Sequence, residues 1–438
     1  MAAIEYNHDH VIVNPRKALT VTETGRCPVV HFDHNSDEHS ADPAGSYRAL
    51  REQTPVAWSE AHGGYWVLSD YQAVFEAARN DQTFSSERTE YGGDGLAVVI
   101  PKTPVAFHIP IEVDPPEFRK WRKIINPITA PAAVARMEGL VRHYVTWFID
   151  EIIEAGQCDM ADVIGVPSIV TVDWLGLNVD DWKRYAFAHH AALAAVPGSD
   201  IWKHAMEVDF PYLDGVTREV IAARRADPQD DVISYLVKAE VDDRVVTDDE
   251  VYAMVDLLLA GGVGTTASLV SNTVVWLYQH QDVRAELAGD LTLLDKAIEE
   301  FLRFFSPTQA LARTVMEDTD MLGCPMQKGD RALLSWASAN RDPSQFENPD
   351  EIDIHRWPNR HTAFGLGVHR CAGSNLGRFM AKELLGQILT RMGDYVVDVD
   401  ALEAYPHQGT NTGWQHIPAT FTPGERLLPP GATAPASC

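Results

Sequence analysis

The sequence predicts a mainly α-helical fold with a smaller β portion, built as one large domain, and three observations carry that prediction. From Asp114-Pro115-Pro116-Glu117 to about residue 305, apolar residues recur at helical spacing almost without interruption. Short strand-like stretches fall outside that block, as in Gly64-Tyr65-Trp66-Val67-Leu68 ahead of a Ser69-Asp70 helix start. The 438 residues, 45% hydrophobic and 23% charged, suffice for a sizeable core, and no repeat or linker divides them.

Taken in order, residues 1–45 read as a loosely structured arm and 46–438 as the domain. The arm's histidines (His8, His10, His31, His34, His39) lack regular ligand spacing and read as solvated. Residues 88–112 hold Gly92, Gly93, Gly95, Pro101, Pro104 and Pro110, and read as a long loop of the kind that carries function. Thr247-Asp248-Asp249-Glu250 is a capping box that opens a helix running to Leu277, apolar nearly all round and therefore buried. At its centre, Ala260-Gly261-Gly262-Val263-Gly264-Thr265-Thr266 places three glycines, each costing about 1 kcal/mol relative to alanine. Either a ligand lies against that backbone, or helices pack closely there with Thr265 bonding its own i−4 carbonyl. Residues 306–372 read as irregular with short strands, a further helix follows Gly373, and the chain ends in a Pro/Gly-rich, strand-poor tail.

Charge and cysteine usage exclude several classes. With 36 Lys+Arg against 63 Asp+Glu, the formal charge of −27 opposes non-specific binding to nucleic acid or anionic membranes. No apolar run approaches 18 residues, and the first residues lack a basic segment followed by an apolar one, so no signal peptide, no membrane anchor and a cytoplasmic protein are expected. Five scattered cysteines (Cys27, Cys158, Cys324, Cys371, Cys438), none in CxxC, argue against a disulfide framework or structural zinc.

The stretch richest in chemistry is Phe364-Gly365-Leu366-Gly367-Val368-His369-Arg370-Cys371-Ala372-Gly373. Glycines let backbone amides crowd around one sulfur, and a thiolate so held can be an axial ligand to haem iron. Together with the glycine-threonine helix, this loop makes the chain resemble a soluble bacterial cytochrome P450. Glu300-Phe301-Leu302-Arg303 looks like the family's ExxR element, and Arg356 matches the arginine that completes its buried Glu–Arg–Arg cluster. Ala339-Asn340-Arg341-Asp342-Pro343 matches a further family segment, and the resemblance spans roughly residues 45–425.

The resemblance implies haem b ligated by Cys371, framed by Phe364, Gly365 and Gly373, with Gly261 on the opposite side. Arg122, Arg313 and His369 stand at its usual propionate-binding positions, while Phe118 replaces a histidine common in relatives. It also implies a monomeric monooxygenase that activates O2 with electrons from a ferredoxin and its reductase. The family's acid before Thr265 is here Gly264, which can donate no proton. That departure keeps open a haem-thiolate peroxygenase, a nitric-oxide-reductase-like enzyme, or a non-catalytic haem-binding module. By family layout the substrate would meet Val98, Val99, Leu258, Thr308, Leu311 and Trp414, a largely apolar set that suits a small neutral terpenoid, aromatic or lipid-like molecule. Arg119, Lys120, Arg122, Lys123 and Arg370 form a basic set where an acidic ferredoxin would dock.

Overall fold

The computed structural model describes residues 27–88 and 95–429. A six-stranded sheet forms one side of the molecule. Its strands are β1 (Val29–Val30), β2 (Val56–Ser59), β3 (Tyr65–Leu68), β4 (Phe84–Ser85), β5 (Leu311–Val315) and β6 (Arg331–Leu334), in the order β1-β2-β3-β6-β5-β4. Long-range pairing of β3 with β6 in parallel, Val67 opposite Leu333, brings the two halves of the chain together. β5 lies antiparallel to β6, with Arg313 opposite Ala332.

The helices that matter for the site are α1 (Tyr71–Arg79), α2 (Glu117–Thr129), α3 (Glu138–Ile153), α4 (Val166–Leu175), α5 (Trp182–Ala194), α6 (Asp248–Val263), α7 (Thr265–Gln279), α8 (Leu294–Phe305) and α9 (Ser374–Arg391). Asp70 caps α1, its side chain accepting from Ala73 N, as the Ser69-Asp70 start predicts. The Thr247 capping box is present, with both reciprocal bonds. One large core joins α3, α4, α7, α8 and α9 through side chains such as Tyr144, Ile169, Val274, Phe301 and Leu384. α6 and α7 together are long and apolar enough to cross a bilayer, but most of that segment is buried inside the protein, where an apolar core helix belongs.

Four expectations need correction. The arm is structured from residue 29, because β1 pairs in parallel with β2 and a capped helix, Asp37–Ala41, follows. His34 and His39 are accordingly buried; His34 bonds the Tyr65 hydroxyl at 3.1 Å and His39 the Ser46 hydroxyl at 2.6 Å. His8 and His10 lie outside the described residues, as do Gly92 and Gly93. Cys27 and Cys324 form a disulfide across 297 residues, a pairing that no local spacing could announce. The strand-poor tail also contains four short strands between Val396 and Thr420, one of which pairs with Gln157–Asp159.

Candidate haem-thiolate site

The cysteine loop is closed by its own backbone: Cys371 N donates to the Phe364 carbonyl at 2.8 Å, and Gly365 N to the Thr362 carbonyl at 2.7 Å. Gly367 has φ +67°, and a Cβ there would stand 2.4 Å from the Ala78 carbonyl of α1, so only glycine fits. Gly373 ends the loop as the residue before α9. The Cys371 side chain is exposed although protein surrounds it closely. Desolvation therefore raises its thiol pKa, while the Gly373 amide and the positive charges of Arg122, Arg370 and Arg378 pull the other way.

Near the loop lie polar groups whose hydrogen-bonding capacity the described residues do not fully use. Arg313 is buried, and among the described residues its guanidinium donates to the carbonyl of its neighbour Ala312, at 2.8 Å. Burial pulls its pKa down to about 10, and no described carboxylate lies within ion-pair distance. His369 Nε2 meets Asp114 Oδ1 at 3.2 Å, whereas its Nδ1 is buried and unpartnered. Desolvation is the main influence lowering the His369 pKa, with the Asp114 bond opposing it. Arg122 is half-buried, and its guanidinium sits 5.9 Å from the Phe118 ring. Phe118 packs edge-on against His369, with ring centroids 4.5 Å apart. Unspent guanidinium donors on buried Arg313, together with an accessible thiol on the neighbouring loop, fit a group that carries carboxylates and a thiolate-binding metal.

Behind the loop, Arg303 donates to both Glu300 oxygens at 2.8 Å, and Arg356 Nε bonds the same carboxylate at 3.0 and 3.1 Å. Asn359 and the Asp353 amide also donate to Glu300. Arg303 spends its remaining donors on the carbonyls of Asn340, Pro349 and Glu351. The sequence gives no sign of the neighbouring arrangement. Glu299 accepts from Arg378 at 2.5 and 2.8 Å and meets His361 at 3.1 Å, and the Arg378 guanidinium lies 4.4 Å from the Phe364 ring. Adjacent glutamates on α8 thus brace different segments, Glu300 the 340–359 stretch and Glu299 the cysteine loop.

On the other side, the long helix breaks at Gly264, which separates α6 from α7. The three glycines divide their roles. A Cβ on Gly262 would meet the Thr171 side chain at 2.6 Å, so Gly262 permits close packing against α4. Gly261 is exposed, with open space where its Cβ would be. Thr265 Oγ1 donates to the Gly261 carbonyl at 2.9 Å, the i−4 bond of the packing reading. The buried carboxylate of this helix, Asp256, lies nine residues before Thr265. At 100° per residue that is half a turn away, so Asp256 does not replace the missing acid.

Among the candidate substrate contacts, Val98 and Leu311 come together, since the Val98 carbonyl accepts from Ala312 N at 2.7 Å. Thr308 bridges Asn411. Val98 is buried and Val99 half-buried; Leu258 packs on a core that includes α5 residues, and Trp414 on the main helical core. In the basic set Arg119, Lys123 and Arg370 are exposed. Lys120 is paired with Glu117 at 2.8 Å and Asp242 at 2.7 Å, so its charge is largely spent.

A fold that combines this braced cysteine loop with the buried guanidinium of Arg313 fits a haem-thiolate protein. Comparison with known proteins agrees. A family model described as Cytochrome P450 matches residues 140–393. A steroid C26-monooxygenase from Mycolicibacterium smegmatis is 32% identical over 395 residues, which cover 87% of this chain and 94% of the relative. A linalool 8-monooxygenase from Pseudomonas putida is 30% identical, covering 80% and 89%. A Bacillus megaterium cytochrome P450 solved with testosterone superimposes with a TM-score of 0.78 at 26% identity, over 88% of this chain and 99% of that one. The chain belongs to the cytochrome P450 family of haem-dependent monooxygenases, whose cofactor is haem b on a cysteine thiolate.

Proposed function

We propose that Cys371 supplies the axial thiolate, that Arg122, Arg313 and His369 receive the haem propionates, and that the enzyme hydroxylates a neutral, hydrophobic terpenoid, steroid or similar lipid-like molecule. The accessible Cys371 thiol, held in a loop that only glycine can form at residue 367, is the observation that carries this reading. Bound haem supplies reductive activation of O2 and insertion of one oxygen atom into a C–H bond. The chain's own share is separate. Phe364 and the Gly373 amide shape the sulfur's surroundings, Glu299 and Arg378 hold Phe364 in place, and Glu300, Arg303 and Arg356 fix the segment beneath. Val98, Val99 and Leu311 are apolar and Thr308 and Asn411 polar, a combination that suits a substrate with at most one polar group. Relatives named for steroid and linalool oxidation support that class. Electrons come from an acidic ferredoxin that docks on Arg119, Lys123 and Arg370, and the enzyme works as a cytoplasmic monomer.

The test is spectroscopic. The reduced carbon monoxide complex should show the red-shifted Soret band of a thiolate haem, and Cys371→Ser should lose it; a serine variant that kept the band would remove Cys371 from the role. Titration with monoterpenoids and steroids should shift the oxidised Soret band. The lack of any carboxylate at Gly264, with Asp256 facing away, favours a second reading in which peroxide is the oxidant. Turnover with hydrogen peroxide alone, exceeding that with ferredoxin, reductase and NADH, would select it.

A further inference from the structure

The buried Asp256 of α6 belongs to no part of the site described above; one histidine from a distant segment bonds it and a second faces it. His108 Nε2, in the loop before α2, lies 3.0 Å from Asp256 Oδ2. His189 Nε2, on α5, lies 3.6 Å from Oδ1, too far for a hydrogen bond, and its Nδ1 donates to the Tyr185 carbonyl at 3.0 Å. All three side chains are buried. An apolar trio would fill this space at lower desolvation cost, because buried polar groups recover that cost only when they are well paired. What the polar trio adds is direction, because a hydrogen bond constrains how its two partners face each other.

The loop that presents His108 is itself braced. Glu112, without exposed surface, accepts from Arg88 at 2.8 and 2.6 Å, from Ala97 N at 2.7 Å and from His108 N at 2.9 Å. Arg88 also reaches the Val105 and Ala106 carbonyls, at 3.1 and 3.0 Å. Next to His108, Ile109 N donates to the Ala253 carbonyl of α6 at 3.3 Å. The described part of the loop, residues 95–112, is therefore cross-braced, and it joins α6 through His108–Asp256 and Ile109–Ala253. His189 brings α5 to within 3.6 Å of the same carboxylate.

We propose that Asp256, His108 and His189 form a clasp that fixes the 95–112 loop and α5 against α6 and so governs how fast ligands enter and leave the cavity. This rests on the reading of the 95–112 loop as a wall of the substrate cavity. The three are positioning residues, because Asp256 faces half a turn away from Thr265 and touches nothing that reacts.

Hydrogen exchange and ligand-binding rates on the haem-loaded enzyme test the clasp. Asp256→Asn should raise amide exchange in residues 95–112 and 182–194. It should also speed both association and dissociation of 4-phenylimidazole by about tenfold, or ~1.4 kcal/mol, with the reduced carbon monoxide spectrum unchanged. His108→Phe should loosen the loop more than α5, and His189→Phe the reverse; these two variants decide the matter if Asp256→Asn does not fold. Unchanged exchange in both segments would overturn the clasp. Raised exchange with unchanged binding rates would overturn its control of entry while leaving the haem-thiolate reading intact, since that stands on the carbon monoxide band.

Discussion

The Thr265 hydroxyl donates to the Gly261 carbonyl across the last turn before the helix breaks at Gly264. That bond leaves the oxygen's lone pairs free to accept from water but commits its hydrogen, and no acid stands beside it. Gly264→Asp should therefore raise product formed per NADH with ferredoxin and reductase, by about twofold or more, a modest part of the effect general acid catalysis can have. Thr265→Ala should lower it, with more hydrogen peroxide released. Both are read by product and peroxide assays on the same turnover. An unchanged yield for Gly264→Asp would show that protons arrive by a route that does not use this position.

Glu300 and Arg303 have no exposed side-chain surface, and four donors besides Arg303 Nε converge on the one carboxylate: Arg303 NH2, Arg356 Nε, Asn359 and the Asp353 amide. Removing the carboxylate strands a buried guanidinium, at a cost on the order of 3–5 kcal/mol. Glu300→Ala should give little haem-loaded protein and a sharply lower Tm. Arg356→Lys, which keeps the charge and loses the planar contact to both oxygens, should fold with a smaller loss. The measurements are haem content per folded protein and thermal melts.

Docking of a reductant should depend on fewer charges than the sequence suggests. Arg119 and Lys123 stand one turn apart on α2 and are exposed, whereas Lys120 is held between Glu117 and Asp242. Arg119→Glu and Lys123→Glu should raise the KM for reduced ferredoxin several-fold at low salt, and the difference should shrink as screening increases. Lys120→Gln should change it little. Peroxide-supported turnover, measured alongside, should be unaffected by all three.

What the sequence makes legible here is local in the chain. Gly367, Cys371 and Gly373 obey the geometry of one turn, and Glu300 and Arg303 the i, i+3 spacing of one helix face, so their pattern survives in one dimension. The Glu250 capping box and the Asp70 cap are legible for the same reason. What stays hidden depends on tertiary register. Cys27 finds Cys324, Asp256 finds His108 and His189, Glu299 finds Arg378, and Lys120 finds Asp242, each across tens to hundreds of residues. The division among the three glycines is hidden likewise, because only the approach of Thr171 distinguishes Gly262 from Gly261.

Burial of histidines gives the protein an acid limit that composition alone does not show. Desolvation pulls the imidazoles of His34, His39 and His190 from 6.5 down to about 4, about 3 and about 4, and nearby Asp33 only partly offsets this at His34 and His39. As pH falls below about 6.5 the unfolded chain takes up a proton at each site that the folded chain refuses. Stability is therefore complete above that pH, declines as pH falls toward 4, and levels off once the folded imidazoles titrate too. At pH 5 each histidine should cost about 2 kcal/mol relative to pH 7.5. Denaturation midpoints measured across pH 7.5 to 4.5 check this. His39→Gln, whatever it does to stability at neutral pH, should reduce the slope of midpoint against pH by about one proton's worth, and an unchanged slope would show that His39 is not held neutral in the folded protein.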